Sequence, residues 1–251
     1  MPQQYVLVKL MGRCGNQFYQ IAAGLAYAKK YDMDFFVTNT AENAYNNTKY
    51  FNFPIRDNAW AVYGEKINEK GEPYYAEMPP LSNPYLIGFW QSFKYFDEHR
   101  NYILSSFNIP YNKSPYVSIH VRRGDYLVHS DKFPPLPLEY YKKAVEFMNL
   151  LGYYKFMVFS DDINYCKSIF IDENFNSLNV FEYSESKSEL EDLSLMSSCL
   201  NNIVANSSFS FVGAWLNQNP KKIVVCPPQE KLFVGANQDM IPDYFTIIKY
   251  Q

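Results

Sequence analysis

The sequence predicts an α/β protein built on mostly parallel sheets, and three observations carry that prediction. Between Tyr116 and Cys226 short apolar runs alternate with segments of helical periodicity, the pattern of strands joined by covering helices rather than by hairpins. A similar unit opens the chain, where "YVLVKL" at 5–10 runs through a Gly-containing turn into Phe18, Ile21, Ala22 and Leu25 at helical spacing. A chain of 251 residues, 47% of them hydrophobic, is long enough to bury a core in one large domain or two smaller ones.

Taken in order, the strand at 5–10 and its helix are followed by a second strand, "DFFVTN", at 34–39. Residues 41–84 are rich in Asn, Pro, Tyr and charge with weak periodicity, and read as a segment that wraps the first half or inserts on its binding side. "YLIGFWQ" at 85–91 and a helical "SFKYFDEHRNYILSSF" at 92–107 close that half. The turn residues of "NIPYNKSP" at 108–115 mark a linker, which places the two domains at 1–112 and 113–251. The second half then reads as strand 116–121, helix near 138–151, strand 155–160, helix near 162–170, strand 179–183, helix 188–199, strand 202–206, helix near 209–217 and strand 222–226.

Composition narrows the function. A net charge of -3 argues against a nucleic-acid partner or a broad hold on anionic membrane, so any anion site must be local. Aromatic residues make up 18% of the chain, enough for large packed contacts and for platforms under sugars or bases. Cys14, Cys166, Cys199 and Cys226 lack the short paired spacing of a zinc knuckle or redox pair and read as buried free thiols. No basic leader and no apolar run of about 18 residues stands out, and the expectation is a soluble cytoplasmic or otherwise intracellular protein with no transmembrane segment.

In open parallel sheets ligands sit beyond the carboxyl ends of the strands. Four polar clusters take that position: "GRCGNQ" at 12–17, "RRGD" at 122–125, "SDD" at 160–162 and "NSSFS" at 206–210. Arg122 and Arg123 beside Gly124 suit an oxyanion, because guanidinium is always charged and presents a planar fork of donors. The competing account pairs them with Asp125, Asp131 or Glu139. Ser207, Ser208 and Phe209 open a helix whose first N–H groups favour phosphate, or else the serines only cap it. Together the two clusters point to a diphosphate.

The weaker signals are more evenly divided. Asp161 and Asp162 either grip a ribose or base or cap the next helix, and Asp192 reads as part of a solvated helix face. The turn containing Gly15 and Asn16 resembles a phosphate cradle without the full glycine fingerprint. "DMD" at 32–34 is an αβ turn on the opposite rim, and His99, His120 and His129 lack metal-ligand spacing, so no metal is assigned. His120, two residues before Arg122, defaults to a structural hydrogen bond.

"HVRRGDY" at 120–126, "GNQF" at 15–18, "SDD" at 160–162 and "MSSCLNNIVANSSFSFVGAWLN" at 196–217 occur together and in order, and in this set the chain resembles the α-1,2-fucosyltransferases of glycosyltransferase family 11 from near residue 10 to about 228. The resemblance implies a GT-B-like architecture, two Rossmann-like halves with a cleft between them, the first facing the acceptor and the second binding GDP-fucose. It implies an inverting enzyme that needs no cofactor or metal and fucosylates O2 of a terminal galactose on a glycan. It places Arg122 on the β-phosphate, His120 near the nucleoside, and Ser207, Ser208 and Phe209 on the diphosphate. Asp192, 16 residues before Ser208, corresponds to a guanine-contacting aspartate in a more distant fucosyltransferase, which displaces the solvated reading. Asn16, in the turn it shares with Gly15, approaches fucose or the acceptor.

The departures are Leu200 or Asn201 where many relatives carry His, and Phe211 with Val212 where they carry two tryptophans; these touch acceptor choice more than donor choice. Transfer builds oxocarbenium-like charge on the sugar while negative charge gathers on GDP, so Arg122 and Arg123 would stand in for a metal. Asp125 is the candidate base, with a clamp on the arginines and a reaction without a base as its competitors. The rival functions are an inverting transferase with another nucleotide sugar or acceptor, and a non-catalytic glycan-binding module.

Overall fold

The structure, a computed structural model, describes residues 4–38, 51, 53–56, 64–69, 74–107 and 109–250. The chain forms two units, one of Met1–Asn108 with Gly235–Pro242, the other of Ile109–Val234 with Asp243–Gln251.

In the first unit β1 (Tyr5–Lys9), α1 (Cys14–Tyr31), β2 (Asp34–Thr38), β3 (Ile55–Arg56), β4 (Lys66–Asn68), β5 (Tyr85–Ile87) and α2 (Arg100–Phe107) follow in order. Their sheet runs β3-β2-β1-β5-β4, every pair parallel. α1 is buried along most of its length, as its Ala-rich "IAAGLAYA" allows, and ends where Asp32 turns left-handed at φ 53 and returns its N–H to Ala28 O. Asp32–Asp34 is thus the expected αβ turn. Phe18 stacks on Phe107 at 4.4 Å and meets Phe51 and Phe96 edge-on, which gives part of the aromatic content its place in the core.

The helix expected over 92–107 is broken. Ser92 Oγ accepts the Lys94 N–H and Phe96 leaves helical geometry at φ −147, so two 3₁₀ turns, Phe93–Tyr95 and Asp97–His99, precede α2. Half of 41–84 lies outside the described residues, and β3 and β4 fall in its described part. The boundary expected at 112/113 falls at 108/109, and Gly235–Pro242 sits with the first unit rather than the second. Asp239 ties it there: its carboxylate accepts the Tyr75 N–H at 2.8 Å and the Lys94 ammonium at 2.6 Å.

The second unit contains β6 (Val117–Val121), α3 (Gly124–Val128), α4 (Leu138–Leu150), β7 (Lys155–Ser160), α5 (Ile163–Ile169), β8 (Val180–Tyr183), α6 (Glu189–Ser198), β9 (Asn201–Ile203), α7 (Ser208–Leu216), β10 (Val224–Cys226) and β11 (Thr246–Ile247). The sheet order is β11-β10-β9-β6-β7-β8, all parallel. The strand expected at 202–206 is shorter and earlier, at 201–203, and neither α3 nor β11 is foreseen by the sequence pattern. Val117, Ile119 and Val121 face a core shared with Tyr140, Tyr141, Ala144, Phe156 and Cys166, and Tyr140 buries its hydroxyl by donating to Val204 O at 2.6 Å. All four cysteines are buried free thiols, and burial pushes Cys166 up to about 11 and Cys199 and Cys226 up to about 12.

The strand orders decide where ligands can bind. In the second unit the chain winds from β6 out to β7 and β8, then returns to the other side for β9, β10 and β11, so the winding reverses between β6 and β9. In the first it reverses between β1 and β5. Each reversal leaves a crevice at the carboxyl ends of the two flanking strands, where the loops diverge.

Candidate active site

Arg122 is the first residue beyond β6 and Ser207 lies just beyond β9, so the parallel register delivers both to the reversal point of the second sheet. On β6, Ser118 and His120 alternate away from the core lined by Val117, Ile119 and Val121. The His120 ring lies 5.6 Å from that of Phe209, in the first turn of α7. Burial first, and the adjacent Arg122 charge second, push the imidazole down to about 3, so it is neutral at any ordinary pH. Its Nδ1 is buried with no hydrogen-bond partner among the described residues.

The arginine pair is anchored by carboxylates. Arg122, 15% exposed, reaches Asp125 Oδ1 at 2.5 Å through Nη2 and Asp161 Oδ2 at 2.7 Å through Nη1. Arg123 donates its backbone N–H to Asp161 Oδ1 at 2.9 Å and its Nε to Asp162 Oδ2 at 3.1 Å, and its guanidinium lies 3.4 Å from the centre of the Tyr165 ring. Asp162 also caps α5 by accepting the Tyr165 N–H. Gly124 leaves room for this carboxylate: a Cβ there would come within 2.4 Å of Asp161 Oδ2 and force it to shift.

Two expectations change here. The competing ion-pair account of the arginines is right in kind, with Asp161 and Asp162 rather than Asp131 or Glu139 joining Asp125. Two guanidiniums face three carboxylates, so the loop by itself is not cationic. Asp161 and Asp162 spend their oxygens on the arginines and on α5, which accounts for them without a ribose or base.

Tyr126 joins this loop to α7. Its ring lies 5.5 Å from the Arg122 guanidinium and stacks on Phe133, while its hydroxyl donates to Asn206 O at 3.0 Å. Burial pushes that phenol up to about 12, so it remains a donor. Ser207 has extended geometry at the N-cap, yet its side chain makes no cap hydrogen bond, and Ser210 Oγ turns back to Ala205 and Ser207. The capping account of the serines thus does not describe Ser207. The dipole of α7 points its positive end at the same crevice.

Asp192 stands in the first turn of α6, half-buried beyond the carboxyl end of β8. Ser184 Oγ and Ser186 Oγ donate to its Oδ1 at 2.7 and 2.6 Å. Burial pushes its carboxyl above the usual range, against the pull of those hydroxyls. It belongs to the same rim as Arg122, Asp161 and Ser207.

In the first unit the loop after β1 is held by amides. Gln20 bonds both the N–H and the carbonyl of Met11, at 2.8 and 3.2 Å, and Gln17 Nε2 donates to Gly12 O at 2.7 Å. Gly12 has φ +71, and a Cβ there would meet Asn16 Nδ2 at 2.4 Å. Asn16 Oδ1 accepts from Gln91 Nε2 at 2.8 Å, across the reversal between β1 and β5, and Gly15 is buried in the first turn of α1. No group of three or more His, Cys, Asp or Glu among the described residues is arranged to hold a metal ion, and no described helix is long and apolar enough to cross a membrane.

The profile of glycosyl transferase family 11 matches residues 41–231. The chain belongs to that family. An O-antigen biosynthesis glycosyltransferase, WbnK, of Escherichia coli is 36% identical over 177 residues, 62% of this chain and 57% of the relative. An alpha-1,2-colitosyltransferase of Escherichia coli is 35% identical over 161 residues, 56% of this chain and 54% of the relative. The family 11 chain therefore aligns with little more than half the length of these relatives. Its fold is that of the fucosyltransferase NodZ from Bradyrhizobium, at TM-score 0.53 and 12% identity over 85% of this chain and 92% of that one. A family 9 glycosyl transferase from Veillonella parvula shares it at TM-score 0.52 and 9% identity over 99% and 88%. The GT-B-like α/β architecture with two mostly parallel sheets follows.

Several residues of this family 11 site escape sequence reading. Tyr126 stands inside the "HVRRGDY" motif and signals its role only through that position. Tyr165, Ser184, Ser186 and Gln91 carry no local signal, because their partners lie 6 to 75 residues away or meet them only through folding.

Proposed function

We propose that this family 11 protein is an inverting fucosyltransferase that moves L-fucose from GDP-fucose to a hydroxyl of a glycan acceptor, O2 of a galactoside in the first instance, without a metal ion. The observation that carries the reading is Arg122 held at the end of β6 beside the opening of α7, with Tyr126 spanning the two. As the glycosidic bond to GDP breaks, negative charge collects on the diphosphate. Arg122 and the first N–H groups of α7, around Ser207, Ser208 and Phe209, would meet that charge in fixed positions. Because the arginines are balanced by carboxylates, the helix opening must supply much of the attraction, and the arriving diphosphate competes with Asp125, the more exposed partner of Arg122.

The remaining roles follow from environment. His120 and Phe209 form a neutral wall suited to the nucleoside, and Asp192, already an acceptor for hydroxyls, suits the donor edge of guanine. Asn16 keeps its proposed place with the sugar or acceptor, and Gly15 belongs to the cradle-like turn that carries it. Asp125 positions Arg122; the acceptor hydroxyl gives up its proton late, when the sugar is already oxocarbenium-like, so Asp125 need not act as base.

A second reading replaces fucose by colitose on the same nucleotide, favoured by the 35% identity to an alpha-1,2-colitosyltransferase. Calorimetry against GDP, UDP and ADP tests the shared part: preference for GDP supports it, and equal binding of UDP or ADP overturns it. Consumption of GDP-fucose against GDP-colitose over a panel of galactosides decides between the two sugars. Full activity in chelator is expected, whereas loss that manganese restores would end the metal-free reading.

A further inference from the structure

The opposite edge of the second sheet holds a cavity of about 580 Å³, lined by the last turns of α4, by Tyr154 just before β7 and by the loop entering β8. That volume falls within the roughly 300–1,000 Å³ of small-molecule sites. The six residues of β7 separate this edge from Asp161 by roughly 20 Å, so no ligand here touches the candidate donor site.

The loop that forms one wall is locked by its own polar atoms. Asn174 Nδ2 donates to Ile169 O, the Leu178 N–H to Asn176 Oδ1, and the Asn179 N–H to Asn176 O, each at 2.9 Å. The side chain of Asn179 is left over. It is 8% exposed, lines the cavity, and neither its Oδ1 nor its Nδ2 has a hydrogen-bond partner among the described residues. Asn149, lining the cavity from α4, also has a buried Oδ1 without a partner among those residues. Amides buried in this state are uncommon and mark a place where something else completes the hydrogen bonding.

The lining says what that is. Asn179 offers a donor and an acceptor side by side, the arrangement that matches adjacent hydroxyls. Phe175, fixed at 5.2 Å from Phe170 and 5.1 Å from Phe181, and Tyr154 supply apolar faces. Lys142 is outnumbered by Glu146 and Glu173, which disfavours phosphates and other anions while adding acceptors for hydroxyl groups. We propose that this cavity is a carbohydrate-binding subsite for neutral oligosaccharide, separate from the donor site and independent of which nucleotide sugar the protein uses.

The test follows the side-chain amide resonances of Asn149 and Asn179 in the full chain during titration with lactose and maltotriose, with AMP as an anionic aromatic control. Saturable shifts with the sugars, retained in Arg122→Ala, are expected. Asn179→Ala should weaken the Asn149 response at least tenfold while Asn179→Gln keeps part of it, and circular dichroism checks that both variants fold. Sugar shifts confined to the rim around Arg122, equal shifts with AMP, or no saturation because the amides bind ordered water only, would each overturn the proposal.

Discussion

The two winding reversals occupy the same place in their sheets and are held in opposite ways. In the first unit Gln17, Gln20 and the Asn16–Gln91 pair close the loop after β1 with neutral amides. In the second, Arg122 and Arg123 close the loop after β6 against Asp125, Asp161 and Asp162. Neutral amide bonds contribute about 1 kcal/mol each, are little screened by salt and leave no net field. Guanidinium–carboxylate pairs are screened, directional and able to exchange one anion for another. One α/β turn is thus closed by neutral amides and another by paired charges, according to which side chains fold back on it.

The strongest break of this contrast is Arg122→Ala. Turnover should fall by about 10²- to 10³-fold, as for loss of a transition-state donor, and GDP affinity should fall with it, measured by GDP-fucose consumption and calorimetry. Unchanged turnover would remove the charged loop from the mechanism. Asp161→Ala strips a partner from both the Arg122 guanidinium and the Arg123 N–H, and should cost about 2 kcal/mol in urea unfolding, less at high salt. Gly124→Ala, which forces Asp161 aside, should shift stability in the same direction.

On the amide side, Gln20→Ala should cost about 1–2 kcal/mol by stranding the Met11 N–H, with the same value at low and high salt and GDP affinity intact. A marked salt dependence would erase the distinction between the loops. The smallest effect is a slope. His120 titrates near 3 when folded, well below its ordinary 6.5, so between those values the unfolded chain binds the extra proton and stability is lost as pH falls. His120→Gln should remove up to about 1.4 kcal/mol per pH unit of that dependence, seen as a flatter plot of urea midpoint against pH from 6 to 4.5. Parallel plots for the two proteins would place a charged imidazole in the folded state.

Legibility differed between the halves for a physical reason. Alternation in the second half is local, because each strand is short, apolar and bounded by turns, so 155–160 matches β7 at both ends. The segment 92–107 misled because its aromatic residues satisfy helical spacing while Ser92 and Phe96 break the ladder. β9 begins one residue early because Asn201 joins the strand, its Oδ1 accepting the Ile223 N–H, while buried Asn202, already read as strand, donates to Ser118 Oγ and Met196 O. A polar strand residue such as Asn201 looks like loop until its partner is known. The loops carrying Arg122, Asp161 and Ser207 were legible as one rim, since parallel strands send their following loops the same way, whereas Asp192 looked like a solvated helix face and entered only through the family resemblance.

By itself the sequence determined the parallel α/β architecture, the strands that end in polar loops, and the family, because periodicity and ordered motifs are properties of neighbouring residues. Tertiary structure alone decided which carboxylates neutralise the arginines, that Tyr126 links Arg122 to α7, that Gly235–Pro242 returns to the first unit, and that the Asn179 side-chain amide is buried with no hydrogen-bond partner among the described residues. Each of those depends on groups brought together from tens of residues apart, where charge balance and desolvation are set by the fold and leave no trace in local spacing.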